Sequence, residues 1–359
     1  MTPNDSDPST PARPADPLRV AAWWAVVIAA SWFMLGELAS VLRPLALAVF
    51  VAYLLLPSYS RLRHKLPGPV ALGLLAGVTT ALLVGLSLAV SASLLGLKDD
   101  LPELRRSAGE LAARGTRLLN DTLPERFTGI DSRGPVEDKV GGWLTAATLA
   151  AANAAAGGLL EVATAGLYLL FLLLESERFP QRLRAAYPPA QAEHILDVAG
   201  RINSAIVSYM RAKVFASAAV AVPVWLLLSA FGVRFALLWA ILTFLCNFIP
   251  YLGSVVAFAL PAGFAFLQMG GGPLPLAVAG SLLVLHVVSG ATVEPLILGR
   301  AVGISPLVIL AALSVWGLLW GLPGTFLAVP LTVVAKIVFE NIEATRPLAR
   351  LLGTTPRRP

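Results

Sequence analysis

The sequence predicts an all-α, polytopic helical membrane protein with about eight transmembrane helices. Three observations carry that expectation. Of 359 residues, 57% are hydrophobic and only 13% charged, and the mean hydropathy is +0.76; an average soluble domain is nearer ~45–50% and ~25%. Several apolar runs reach the ~20 residues that a bilayer core demands. In the C-terminal half, two apolar runs are broken by Pro and Gly, at Pro250-Tyr251-Leu252-Gly253 and at Pro323-Gly324, so each reads as a helical hairpin.

Taken in order, residues 1–17 are rich in Pro, Ser, Thr and Asp and read as a disordered cytoplasmic tail, not as a signal peptide. Five apolar spans follow at 18–38, 41–57, 69–97, 144–174 and 214–232. The third and fourth are longer than a bilayer requires, so they tilt or project beyond it. Trp23, Trp24 and Trp32 suit interfacial anchoring. Between the spans, 98–141 is highly charged and punctuated by Pro102, Pro124 and Pro135, which predicts short amphipathic helices outside the bilayer. In 175–213 a better helix covers 190–210. There Ile195, Val198, Ile202, Ile206 and Tyr209 recur at spacings of three and four, opposite Glu193, Asp197, Arg201 and Arg211. That face suits a membrane surface, a neighbouring subunit or the protein's own core.

The expected organisation is therefore a tail (1–17), N-terminal transmembrane helices (18–97), a periplasmic helical segment (98–141) and a transmembrane helix (142–174). A cytoplasmic amphipathic segment (175–213), a C-terminal transport region (214–343) and a basic cytoplasmic tail (344–359) follow. Lys and Arg counting favours cytoplasmic N- and C-termini, although the outer segment is itself basic.

The hairpin legs, 235–249 with 254–268 and 306–322 with 325–341, would each be ~22–26 Å long. That is short of the ~30 Å hydrocarbon core, so re-entrant hairpins and ordinary short spans both fit. Residues 273–298 between them are long enough to cross once. Entering from opposite faces, two such hairpins would resemble an inverted repeat, an arrangement that places transport sites near the midplane.

Much chemistry is absent. None of the five lysines follows a glycine, so there is no Walker A loop, and His64, His194 and His286 have no metal-ligand spacing. No GxSxG elbow occurs, and the lone Cys246 excludes a disulfide framework. No enzymatic activity, cofactor, metal or nucleic-acid partner is expected; the net charge of +6 fits basic cytoplasmic loops. The polar groups within apolar segments are Asn153, Glu161, Asn247, Gln268, His286, Glu294, Arg300, Lys336 and Glu340. An ionisable group in a membrane is expensive and commonly functional. Glu294 reads as a protonatable coupling group, a substrate contact, or the structural partner of Arg300 across Pro295 and Gly299. Asn247, before the first break, reads as a helix cap or a polar contact for a solute or cation. His286 reads as an interior histidine, and Lys336 and Glu340 as a local pair.

The run LLWAILTFLCNFIPYLGSVVAFALPA (residues 237–262), with its N-x-I-P-x-x-G core, resembles a motif of the autoinducer-2 exporter family, the PerM-like permeases. The run VEPLILGRAVGISPLVILAALSVWGLLWGLPGTFLAVPLTVVAKI (293–337) is similar to that family's C-terminal signature, and LRPLALAVFVAYLLLPSYSRL (42–62) and YMRAKV (209–214) fit as well. The resemblance covers residues 18 to about 343. It implies a bacterial inner-membrane, multipass transporter without ATPase machinery. Activities proposed in the family are export of autoinducer-2 and, for some members, sodium/proton antiport, and members form homo-oligomers. The motif positions are Asn247, Pro250, Gly253, Glu294, Pro295, Gly299, Gly303, Pro306, Gly324 and Pro330, with Tyr251 and Arg300 as further pathway candidates. One departure is Ala291-Thr292, where relatives carry Asn before the Glu-Pro pair. Three expectations follow: a secondary exporter of a small hydrophilic solute, a monovalent cation/proton antiporter, or a non-transporting envelope scaffold.

Overall fold

A computed structural model describes residues 17–122, 133–176, 178–293 and 304–353. Among these residues every element is helical, apart from an isolated bridge between Ile304 and Gly353. Helices α1 (Pro17–Glu37) and α2 (Ala39–Arg63) meet at Leu38 with a bend of 80°. Helix α3 (Gly68–Asp99) pairs with the long α5 (Arg133–Ser176), and α2 completes a three-helix core of Ala48, Ala52, Ala71, Leu72, Ala76, Ala165, Leu169 and Leu173. Small side chains let these helices approach closely. At Gly166 a β-carbon would lie only 2.7 Å from Thr80 Oγ1.

Helix α4 (Leu101–Thr122) is amphipathic. It buries Leu101, Leu104 and Ala108, spaced as one helix face, and exposes Glu103, Arg105 and Arg106. After the short α6 (Phe179–Ala186), the expected amphipathic segment and fifth span prove to be one continuous helix, α7 (Pro189–Ala230), of 42 residues. The reason is phase. Ile206, Tyr209, Met210, Lys213, Ser217, Val220, Val224 and Leu228 are all buried and keep helical spacing straight through the expected boundary. The apolar face of its first half packs largely on this chain, in a cluster with Phe50 of α2, although Ile195 is exposed.

The first hairpin is α8 (Ala236–Cys246) and α9 (Leu252–Met269). Helix α10 (Pro273–Val288) runs into a π-helical turn at Ser289–Val293. The second hairpin is α11 (Pro306–Trp320) and α12 (Leu322–Asn341), followed by a 3-10 turn (Glu343–Thr345) and α13 (Arg346–Leu352). Part of the expected basic tail is thus docked: Ala349 is buried, and the Ser305 N–H donates to the Leu352 carbonyl at 3.1 Å.

Six helical segments among the described residues are long and apolar enough to cross a membrane: α3, Gly157–Ser176 of α5, α7, α9, Pro273–Thr292 and α12; the bent α1–α2 pair raises this to seven. The hairpin legs are less equal than expected. Helix α8 has 11 residues, about 17 Å, and α11 has 15, about 22 Å, whereas α9 and α12 have 18 and 20. Phe235 starts α8 late by adopting the left-handed conformation (φ 58°), and the turn at Asn247–Pro250 ends it early. Helix α12 begins early because Pro323 lies in its first turn, where a missing N–H leaves no bond unmade.

Candidate functional site: the meeting of two opposed hairpins

The tips of both hairpins are built from backbone held too close for side chains. At Gly253 a β-carbon would fall 1.7 Å from the Cys246 carbonyl oxygen, and at Gly324 it would fall 1.9 Å from that of Trp316. In each hairpin a glycine of the returning helix therefore presses against the end of the outgoing one. Each returning helix also carries one fully buried internal proline, Pro261 or Pro330. The turns differ. The second uses Gly321 at φ 67°. The first uses Tyr251 at φ 64°, ψ −52°, closed by a 2.7 Å bond from the Leu252 N–H to the Pro250 carbonyl. This is the strained hand of the γ-turn, on a tyrosine whose side chain is exposed.

The hairpins open toward opposite ends of α7. At the mouth of the first, the Arg234 N–H donates to Gln268 Oε1 at 2.7 Å and Gln268 Nε2 donates to the Gly232 carbonyl at 2.9 Å. The Arg234 guanidinium reaches Asp100 Oδ1 at 2.8 Å, binding this mouth to the α3–α4 junction. The second hairpin ends near the start of α7, where Arg201 Nη2 donates to Asn341 Oδ1 at 2.5 Å. Between these ends the tips meet. The rings of Phe248 and Phe326 stack with centroids 4.4 Å apart and 26° between planes. Counting from the Arg201–Asn341 contact, Phe326 lies about 22 Å along α12 and Ser217 about 24 Å along α7. The two tips and Ser217 therefore share one level of the bundle.

Asn247 marks that level. Its side-chain Nδ2 donates across to Ser217 Oγ at 3.1 Å, so its amide joins α8 to α7 and does not cap its own helix. The Asn247 N–H returns to the Thr243 carbonyl at 3.0 Å. Ser217 is fully buried, Thr243 is 1% exposed, and one turn earlier on α7 Lys213 is 2% exposed. Among the described residues Lys213 is the one charged side chain that is buried. Sequence hydropathy alone gives no sign of it: Lys213 closes the polar segment 175–213, just before the apolar run 214–232, and so looks like a boundary residue. Its register with Ile206 and Tyr209 was the available signal.

Of the remaining expected site residues, Pro306 is the first residue of α11 and is exposed, and Pro250 is half-buried in the first turn. Glu294, Pro295, Gly299, Arg300 and Gly303 lie outside the described residues. The residues flanking that stretch are informative. It is preceded by the π turn at Ser289–Val293, a distortion common at functional sites, and followed by Ile304, which is buried in the same cluster as Phe248 and Val329. An open groove of about 740 Å³ between α7 and α10 runs to Ser289. His286 holds its Nδ1 2.9 Å from the Leu282 carbonyl and lies edge-on to Phe258, while its buried Nε2 has no partner. Lys336 and Glu340 pair at 3.7 Å along α12, as their spacing predicts. Glu161 pairs with Arg43 at 3.8 Å beside a cavity of about 380 Å³ lined also by Glu37, Ser40 and Thr164. Outside the spans, a hydrogen bond from Arg184 to Glu193 holds that guanidinium above its ordinary range. No group of three or more His, Cys, Asp or Glu side chains able to hold a metal ion occurs among the described residues.

Residues 22–344 match the profile of the AI-2E family of transporters. The chain belongs to this family. Its relatives include the putative transport protein YhhT of Escherichia coli K12, 33% identical over 89% of this chain and 90% of the relative. The AI-2 transport protein TqsA of the same organism is 29% identical over 88% of this chain and 90% of its own. The putative permease PerM, also of that strain, is 27% identical over 91% and 94%. The protein is a multipass membrane transporter of the AI-2E family, and the paired hairpins are its candidate transport region.

Proposed function

We propose that this protein is a secondary transporter that exports a small hydrophilic solute of the autoinducer-2 kind without hydrolysing ATP. One observation carries the reading: two glycine-tight hairpins, opening toward opposite ends of α7, bring their tips together beside a buried polar contact, Asn247 to Ser217. Discontinuous helices that meet in this way supply half-helix ends and freed backbone groups at membrane depth. In the proposed cycle the hairpins act as re-entrant elements. Rearrangement about the Phe248–Phe326 contact opens the polar level to one face and then to the other. Glu294, with Pro295, Gly299, Arg300 and Gly303, completes the pathway, Glu294 supplying charge. The protein lies in a bacterial inner membrane as a homo-oligomer, with both termini in the cytoplasm. The name of TqsA, a relative over most of both chains, supports the solute class.

The test is a flux assay on purified protein in proteoliposomes, offered autoinducer-2, sodium and a panel of small metabolites. Saturable movement of autoinducer-2 or a similar polar solute is expected, with Glu294→Gln abolishing flux while insertion and oligomerisation persist. Sodium-dependent proton movement without solute flux would replace this reading with antiport. Absence of any flux would leave a scaffold.

A further inference from the structure

We infer that the cavity between the α1–α2 elbow and α5 binds the headgroup of a bilayer lipid, a phosphate–ammonium zwitterion, with Arg43 meeting the phosphate and Glu37 and Glu161 the ammonium. The inference is independent of what the protein transports.

Four observations converge. First, the space exists: about 380 Å³, lined by Glu37, Ser40, Arg43, Glu161 and Thr164. Gly36 and Gly157 also line it, and a β-carbon on either would meet nothing within 4 Å. Second, the ion pair here leaves hydrogen-bonding capacity over. Arg43 Nη1 stands 3.8 Å from Glu161 Oε1, an attraction without a hydrogen bond, and the buried Arg43 Nε has no partner. A guanidinium carries five N–H donors, and one withdrawn from water is rarely left with them unfilled. Beside it are acceptors: two carboxylates, and the Thr164 hydroxyl, whose own proton goes to the Leu160 carbonyl at 2.8 Å. A bare anion would face two carboxylates, and a bare cation would face the guanidinium. One molecule that carries both charges satisfies both.

Third, the depth is right. Gly157 begins the apolar segment of α5 that ends at Ser176, and Arg43 lies about 27 Å along α2 from Arg61, near the ~30 Å of a hydrocarbon core. The cavity is therefore at one edge of the bilayer, the level of headgroups. Fourth, its rim is apolar: Leu160 is 73% exposed, and Met34, Leu38 and Val41 are exposed beside the elbow. Such a rim suits acyl chains. The elbow itself is held by Trp320 Nε1, which donates to the Leu35 carbonyl at 3.0 Å.

Native mass spectrometry of the delipidated full chain in detergent reads headgroup preference directly. The probes are phosphatidylethanolamine and phosphatidylglycerol with matched acyl chains. Phosphatidylethanolamine is expected to bind roughly tenfold more tightly, the effect of one charge-assisted hydrogen bond. Glu161→Gln should erase that preference, and Arg43→Gln should weaken phosphatidylethanolamine by a similar factor. Gly157→Leu, which fills the cavity and leaves every charge in place, should also erase the preference. Glu340→Gln, which breaks an ion pair on α12 away from the cavity, should change nothing. Equal affinity for the two lipids overturns the inference, as does a preference that Gly157→Leu leaves intact or that Glu340→Gln also abolishes. Phosphoethanolamine, the headgroup without chains, separates the two sources of this chemistry. It should compete roughly a hundredfold less well than the lipid, because it lays no chain on the rim. Equal competition would give the cavity to a soluble zwitterion and overturn the lipid assignment.

Discussion

Phe248, at the tip of one hairpin, stacks on Phe326 of the other with ring centroids 4.4 Å apart. Residues distant in sequence thus join two elements that open in opposite directions. An offset aromatic pair contributes about 0.5–1.5 kcal/mol beyond the area it buries. A double-mutant cycle of Phe248→Ala and Phe326→Ala, read by thermal unfolding in detergent, should show coupling of about that size. Additive losses would mean that the hairpins do not lean on each other here.

Gly253 and Gly324 each face a backbone carbonyl at a distance no β-carbon accepts. Backbone cannot swing aside as a side chain can. Gly253→Ala and Gly324→Ala should each destabilise the protein by about 1–3 kcal/mol or more. Gly263→Ala, on the exposed side of α9 with nothing near it, should raise stability slightly through helix propensity. Melting temperatures of the three variants decide the matter.

Tyr251 holds a backbone conformation that favours glycine. Tyr251→Gly should relieve about 1–3 kcal/mol of strain. If that strain poises the hairpin for movement, the variant will be more thermostable and slower in flux. A variant that gains neither stability nor loses rate would show that the turn is an ordinary connection.

Arg234 joins three elements through Asp100, Gln268 and, by its carbonyl, Trp239 Nε1 at 3.2 Å. Asp100 is the more enclosed partner, and its Oδ2 has no hydrogen bond. Arg234→Met strands that carboxylate and should lower stability by about 1–3 kcal/mol, with Asp100→Asn in the Arg234→Met background recovering part of the loss. Denaturant midpoints in micelles give the comparison.

The Arg184–Glu193 pair should contribute nothing measurable. Both side chains are exposed, and exposed pairs are weak. Because the guanidinium is held above its ordinary range, any stabilisation is complete below that range and is lost only at pH values above it. Arg184→Gln should therefore leave the stability–pH curve unchanged through the acid and neutral range.

The sequence by itself determined the helical membrane class, the family and the two hairpins. The class and the hairpins rest on local rules: apolar length, and the Pro and Gly breaks at Pro250–Gly253 and Pro323-Gly324, the second of which the structure moves to Gly321. The sequence also placed Lys336 and Glu340 four apart on one helix, where they pair. Tertiary structure decided the rest. Hydropathy puts a boundary at Lys213, yet the helix runs through it, because helical phase and burial persist where hydrophobicity changes. Asn247 was legible as a polar group near a break, but its partner Ser217 is 30 residues away, and only packing of α8 on α7 brings them together. Glycine marks a tight turn in any sequence; that Gly253 and Gly324 touch carbonyls seven and eight residues earlier follows from how each hairpin closes. The meeting of Phe248 and Phe326 has no local signature at all. It comes from two hairpins opening toward opposite ends of one long helix, and contact between distant segments is a property of the fold, not of any stretch of chain.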